Sequence, residues 1–251
     1  MFSALKMFFV YVTLGSIAGV LGVPYSFVIG DIGPLYRLAM WIMRAGIVAG
    51  GISVEVTGQE NLPVSQSCIF MSNHVSNLDP PVLMPYLPGR SSVLLKKQLM
   101  GIPILGTAMR MAKFVPVERG HSVEAAKTSI AAAGDALRSG LNILVFPEGT
   151  RSKDGQLSAF KKGPFFLAED TRASVVPIAI SGTQHMMSKG SMAVKAGVAR
   201  IEFLKPIEPV DYATRDALMA AVKSAIDAAL PLEMKAAVLP DGPATRGAVT
   251  S

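Results

Sequence analysis

With 251 residues the chain can bury one sizeable core, and with half of them hydrophobic and a mean hydropathy of +0.41 it is more apolar than an ordinary soluble domain, which points to membrane association. Lys and Arg exceed Asp and Glu by six, yet no aromatic residues interleave them and no nucleic-acid motif is present, so the expected anionic partner is a membrane surface or a phosphorylated small molecule and not nucleic acid. Cys68 is the only cysteine, which excludes an intrachain disulfide and is compatible with a reducing, cytoplasmic face.

Residues 7–30 carry no charge and are divided by Pro24. The part from 7 to 23 is marginal for a hydrocarbon core that needs about 20 residues. Gly15, Gly19 and Gly22 with Pro24 suit a kinked or re-entrant insertion. A cleaved signal peptide, with Ser16-Ile17-Ala18 at the cut, is the alternative; Lys6 alone makes a poor positive leader, so a retained anchor is expected. From 34 to 52, Leu35, Leu38, Ile42, Ala45 and Ala49 recur at helical spacing, with Arg37 and Arg44 on another face. Tyr36 and Trp41 suit an interfacial helix, the alternative being an ordinary helix packed on the core. Residues 1–52 are therefore expected to form a membrane-associated helical segment.

Strand-length apolar or alternating runs follow at 53–57, 68–72, 92–96, 113–117, 142–146, 174–180 and 199–204. Cys68 falls in the second as a buried strand residue. Between them lie helical patterns: Ser122 caps one running to about Ser139 with Gly140 as its stop, and Thr214 or Asp216 opens another that ends before Pro231. The alternation predicts an α/β domain over 53–239, with a mostly parallel central sheet of about seven strands flanked by helices. Residues 240–251 form a small-residue tail expected to be flexible. The fourteen methionines, Met109, Met111, Met186 and Met187 among them, are read as core filling in preference to an acyl-chain groove.

Three stretches carry chemistry. In Ser72-Asn73-His74-Val75-Ser76-Asn77-Leu78-Asp79-Pro80, an imidazole and a carboxylate stand five positions apart. On a straight helix they would point apart, but Asn73, Ser76 and Asn77 form turns, and Asp79 before Pro80 reads as the cap of a short helix reaching Tyr86. Asp79 can then accept from the His74 Nδ1–H and leave Nε2 to take a proton. Between 90 and 119, Arg90, Lys96, Lys97, Arg110, Lys113 and Arg119 face a single acid, Glu118, an excess suited to an anionic ligand. The run Asn142-Ile143-Leu144-Val145-Phe146 opens into Pro147-Glu148-Gly149-Thr150-Arg151-Ser152, a functionalised loop at the carboxyl end of a strand. There Gly149 permits close backbone approach, Thr150 offers a hydroxyl and Arg151 a phosphate-matched fork. His121 and His185 have no partner at ligand spacing, so no metal site is expected.

Taken in order, Asn73-His74 with Asp79, then Val115-Pro116-Val117-Glu118-Arg119, then Phe146-Pro147-Glu148-Gly149-Thr150-Arg151-Ser152 followed by Phe160-Lys161-Lys162-Gly163, then Val176-Pro177-Ile178 resemble the four motifs of the 1-acylglycerol-3-phosphate acyltransferases, a family of glycerolipid acyltransferases. The resemblance implies a membrane-bound enzyme, with its site on the cytoplasmic face, that moves an acyl group from acyl-CoA or acyl-acyl carrier protein to lysophosphatidic acid, giving phosphatidic acid without a cofactor. His74 and Asp79 would form the base dyad. Arg119 and Arg151 would hold the acceptor phosphate, though each has surface ion-pair alternatives in Glu118 or Glu124 and in Asp154. Lys96 resembles a family lysine near the acyl or phosphate site, with a solvated lysine as the alternative, and Lys161 is a weaker candidate. Glu148 either accepts from a glycerol hydroxyl or holds Arg151. The stretch departs from the family pattern at Lys113-Phe114 and at Gln98, which bears on substrate choice: glycerol 3-phosphate or another lysophospholipid is the alternative acceptor, and a non-enzymatic lipid-binding module the alternative role. No Gly-x-Ser-x-Gly elbow is present, so no acyl-enzyme is required.

Overall fold

The computed structural model describes residues 2–63, 66–117, 123–187 and 193–236. Two helices come first, α1 (Phe2–Ile29) and α2 (Gly33–Ala49), joined by a turn in which Asp31 Oδ1 accepts from Gly33 N–H at 2.8 Å. The apolar run is not divided at Pro24: α1 passes through it as one helix of 28 residues, about 42 Å long at 1.5 Å per residue. It is long and apolar enough to cross a membrane, and Phe8, Phe9, Leu21, Phe27 and Val28 are among the many large side chains it leaves exposed. Two of the glycines expected to kink it, Gly19 and Gly22, serve instead as seats. A Cβ at Gly22 would lie 2.6 Å from Leu35 Cδ1 of α2, and one at Gly19 would collide with Ile104.

All seven predicted strands form: β1 (Ile52–Thr57), β2 (Ile69–Ser72), β3 (Ser91–Lys96), β4 (Val115–Val117), β5 (Asn142–Val145), β6 (Val175–Ser181) and β7 (Gly197–Phe203). They make one sheet in the order β1-β7-β6-β2-β5-β3-β4, parallel throughout except where β7 runs against β6. The helices α3 (Asp79–Leu83), α4 (Leu105–Met111), α5 (Val123–Arg138), α6 (Gly163–Thr171), α7 (Thr183–Met186) and α8 (Arg215–Ala229) complete the fold. The predicted cap of α8 is Thr214, whose hydroxyl oxygen accepts from Ala217 N–H at 3.2 Å. Gly140 closes α5 with φ +84°, while Ser122, its expected cap, and the tail at 240–251 lie outside the described residues.

Strands β2, β5 and β6 are buried on both faces, as parallel strands under helices must be. Their alternation divides the core. Phe70, Leu144, Val176, Ile178 and Ile180 face α2 and α3, whereas Ile69, Met71, Ile143, Val145 and Ala179 face α5, α6 and α8. Tyr36, read from sequence as an interfacial anchor, belongs to the first of these layers. It is 7% exposed because its hydroxyl accepts from Ser91 N–H at 3.0 Å, and a phenol with a buried partner needs no interface. Trp41 remains 57% exposed, and Met186 fills the core at 4%.

Candidate active site

Strand β2 occupies the centre of the sheet, with the carboxyl ends of its parallel neighbours β6, β5, β3 and β4 on the same edge. The chain leaves β2 through Asn73, whose amide extends the ladder in place of backbone: Oδ1 accepts from Ile180 N–H at 2.8 Å and Nδ2 donates to Ile180 O at 2.9 Å. His74 follows at the head of a loop held closed by Ser76, whose Oγ accepts from Leu78 N–H at 3.2 Å.

His74 Nδ1 lies 2.7 Å from Asp79 Oδ2. The carboxylate can only accept, so Nδ1 carries the proton and Nε2 keeps its lone pair. Asp79 does not cap α3. It is the first helical residue, and its Oδ2 turns back to take Val75 N–H and Ser76 N–H, each at 2.8 Å, while Oδ1 accepts from Thr183 Oγ at 2.6 Å. The helix begins with two prolines at Pro80 and Pro81, which removes N–H groups a cap would otherwise serve and leaves the carboxylate to the loop. Asp79 is fully buried and the His74 side chain 13% exposed, its ring stacked on Phe146 with centroids 4.2 Å apart.

The loop after β5 grips the same histidine by its backbone. Glu148 Oε1 accepts from His74 N–H at 2.7 Å, Ser152 N–H donates to His74 O at 2.8 Å, and Glu148 Oε2 accepts from Ser158 N–H at 3.1 Å. Glu148 thus gives one oxygen to an N–H of each of two loops. Burial pushes its carboxyl above the ordinary 4.5, against the pull of those two donors.

The acyltransferase family model matches residues 53–181, just over half of the chain. The chain belongs to the acyltransferase family. Among curated relatives, 1-acyl-sn-glycerol-3-phosphate acyltransferase alpha of Homo sapiens is 33% identical over 166 residues, 66% of this chain and 58% of that protein. The 1-acyl-sn-glycerol-3-phosphate acyltransferase of Limnanthes alba is 29% identical over 185 residues, 71% and 65% respectively. The chain spans roughly half the length of most of the curated relatives it matches. Among solved structures, the 1-acyl-sn-glycerophosphate (LPA) acyltransferase PlsC from Thermotoga maritima has a TM-score of 0.76 at 25% identity, covering 89% of this chain and 91% of that one.

In this member of the family the residues singled out from sequence converge only in part. His74, Asp79 and Glu148 meet. Gly149 and Thr150 are exposed on the turn beside them, Gly149 at φ +72°, and Arg151 is half-buried after them. Lys96 is exposed at the carboxyl end of β3, on the site's edge of the sheet. Lys161 sends its N–H to Pro147 O at 2.7 Å and lies against Gly149, where a Cβ would be 3.4 Å from Lys161 Cγ. Arg119 lies outside the described residues. The basic cluster does not form one patch: Arg90 sits at the opposite end of β3 from Lys96, about 20 Å away, near Asp31, and the Arg110 guanidinium folds onto Met100 O and Thr107 Oγ. Phe146 and Thr183 were given no role from sequence. Phe146 stood inside a motif already identified, so its stacking was within reach; Thr183 is 104 residues from the carboxylate it touches, and no local signal marks it.

Proposed function

We propose that this acyltransferase transfers a fatty acyl group from a thioester, acyl-CoA or acyl-acyl carrier protein, to the sn-2 hydroxyl of 1-acylglycerol 3-phosphate, giving phosphatidic acid. The observation that carries the reading is the 2.7 Å contact between His74 Nδ1 and Asp79 Oδ2, which leaves Nε2 as a base at the carboxyl edge of the sheet. Nε2 takes the acceptor proton as that oxygen attacks the thioester carbonyl; Asp79 stabilises the imidazolium. Collapse of the tetrahedral adduct breaks the carbon–sulfur bond, and the imidazolium returns its proton to the leaving thiolate. No acyl-enzyme and no cofactor or metal enters the scheme. Lys96, Thr150, Arg151 and Arg119 are the groups assigned to the acceptor phosphate and donor, with Gly149 leaving room for their approach. The long apolar α1 supports a membrane-bound protein, and the lone cysteine is compatible with a site on the cytoplasmic face.

The test is acyl transfer by purified wild-type and His74→Ala protein in detergent, with lysophosphatidic acid, glycerol 3-phosphate and other lysophospholipids as acceptors. Turnover highest on lysophosphatidic acid and at least about 100-fold lower in the variant is expected. Activity that survives the substitution removes His74 as the base. Preference for glycerol 3-phosphate reassigns the acceptor, and lipid binding without turnover on any acceptor leaves the binding module.

A further inference from the structure

We propose that Thr183 is a positioning residue for acyl transfer, acting on the base through Asp79; the inference rests on the reading of His74 and Asp79 given above. The motif Val176-Pro177-Ile178 supplies no side chain to the dyad, yet the strand that contains it, β6, ends at the turn that delivers Thr183.

The two oxygens of Asp79 are held unequally. Oδ2 takes three donors, all from the loop 74–76, and these would follow that loop wherever it moved. Oδ1 takes one donor among the described residues, the Thr183 hydroxyl at 2.6 Å, and this comes from the segment after β6. The terminal torsion of an aspartate is broad, so a carboxylate with no hold on Oδ1 can turn about its Cβ–Cγ bond, which carries Oδ2 out of line with the imidazole Nδ1. Thr183 fixes the second point. Both Asp79 and Thr183 are fully buried, so water does not replace a lost hydroxyl there.

Thr183 is itself set by the sheet. Gly182, at φ +89°, packs so closely on β7 that a Cβ would collide with the Val198 carbonyl oxygen, which fixes the turn from which Thr183 projects. The same segment also meets the histidine loop at Asn73, through Ile180, and at Ser76, whose Oγ donates to Met187 O at 2.7 Å. Those contacts hold backbone. Among the described contacts of that segment, the one made by Thr183 reaches the carboxylate that orients the base.

The experiment compares Thr183→Val, which keeps shape and loses the hydroxyl, with Thr183→Ser, which keeps the hydroxyl, in the full chain with a thioester donor and lysophosphatidic acid. Thr183→Val is expected to lower kcat about 10-fold, the effect of one lost charge-assisted hydrogen bond, with KM for the acceptor within about twofold. Thr183→Ser should restore kcat to within about threefold of wild type at a similar melting temperature. Wild-type kcat in Thr183→Val, equal impairment of Val and Ser, or a loss confined to KM would each overturn the assignment. If Thr183→Val does not fold, Thr183→Ala against Thr183→Ser makes the same comparison. A wild type that turns over and a His74→Ala that does not, beside an unimpaired Thr183→Val, sinks this inference alone; an inert wild type, or an unimpaired His74→Ala, sinks the reading of the dyad and this inference with it.

Discussion

Replacing Glu148 by Gln separates a residue that builds the site from one that binds the acceptor. The two carboxylate oxygens accept from His74 N–H at 2.7 Å and Ser158 N–H at 3.1 Å, and an amide can serve only one of them while turning its own NH2 against the other. One charge-assisted hydrogen bond lost with its donor left unmatched costs about 1.5–3 kcal/mol. Relief of a buried negative charge offsets part of this, for a net loss of about 1–2 kcal/mol. At this chain length the melting temperature should fall by about 2–8 °C. The loss depends on pH with a definite sign. Because burial raises the folded-state carboxyl above its ordinary 4.5, the stabilisation is full below that value and is lost as pH rises through the higher folded one, so the gap between wild type and variant narrows from acid to neutral pH. His74 moves with its own N–H, so kcat should drop about 10- to 100-fold with little change in KM for the acceptor. Thermal unfolding across pH and steady-state acyl transfer make the measurement. An unchanged melting temperature with a raised acceptor KM would mean that Glu148 binds a substrate hydroxyl, and the account of it as a loop tie would be refuted.

Gly58→Ala puts a Cβ against the Phe203 carbonyl oxygen at a φ of +72°, and should cost about 3 kcal/mol, or roughly 6–12 °C in melting temperature; an unshifted transition would show that the turn after β1 can relax. The Cys68 thiol, which burial pushes up to about 12, should resist iodoacetamide at about pH 8 in the folded protein and react in denaturant, as followed by mass spectrometry. Removing residues 1–30 takes away the exposed apolar surface of α1 and should move the protein toward the soluble fraction on cell fractionation, whereas membrane retention that resists salt washing would show that α1 is not the main anchor.

The seven strands were legible because each is a short apolar or alternating run, a pattern that depends on near neighbours alone. The helices α4, α6 and α7 were not. Each is at most nine residues long, too short for a periodic face to stand out from the flanking loops. The site divides in the same way. His74 and Asp79 are five residues apart, and the turn formers between them sufficed to bring them together. His74, Ser91 and Asp79, the distant partners of Glu148, Tyr36 and Thr183, lie 74, 55 and 104 residues away, beyond the reach of any local signal. Asp79 is the instructive case, since a carboxylate before proline does favour a helix start, yet N–H groups on its amino-terminal side compete for it and win.

Packing joins the apolar hairpin to the chemistry. Helix α1 closes on α2 where Gly46 leaves no room for a Cβ beside the Tyr11 ring, and Tyr11 donates its hydroxyl to Met43 O at 3.2 Å. Helix α2 then lies on α3, with Tyr36 and Ile47 in the same buried layer as Leu78, Val82 and Leu83. Asp79 is the first residue of α3, so the helix that carries the carboxylate is pressed between α2 and the sheet. Interiors packed at this density transmit displacement and do not absorb it. A shift of the hairpin relative to the sheet therefore has to be taken up either at the α2–α3 contact or at the carboxylate, and on the sheet side the carboxylate is tied by the Thr183 hydroxyl.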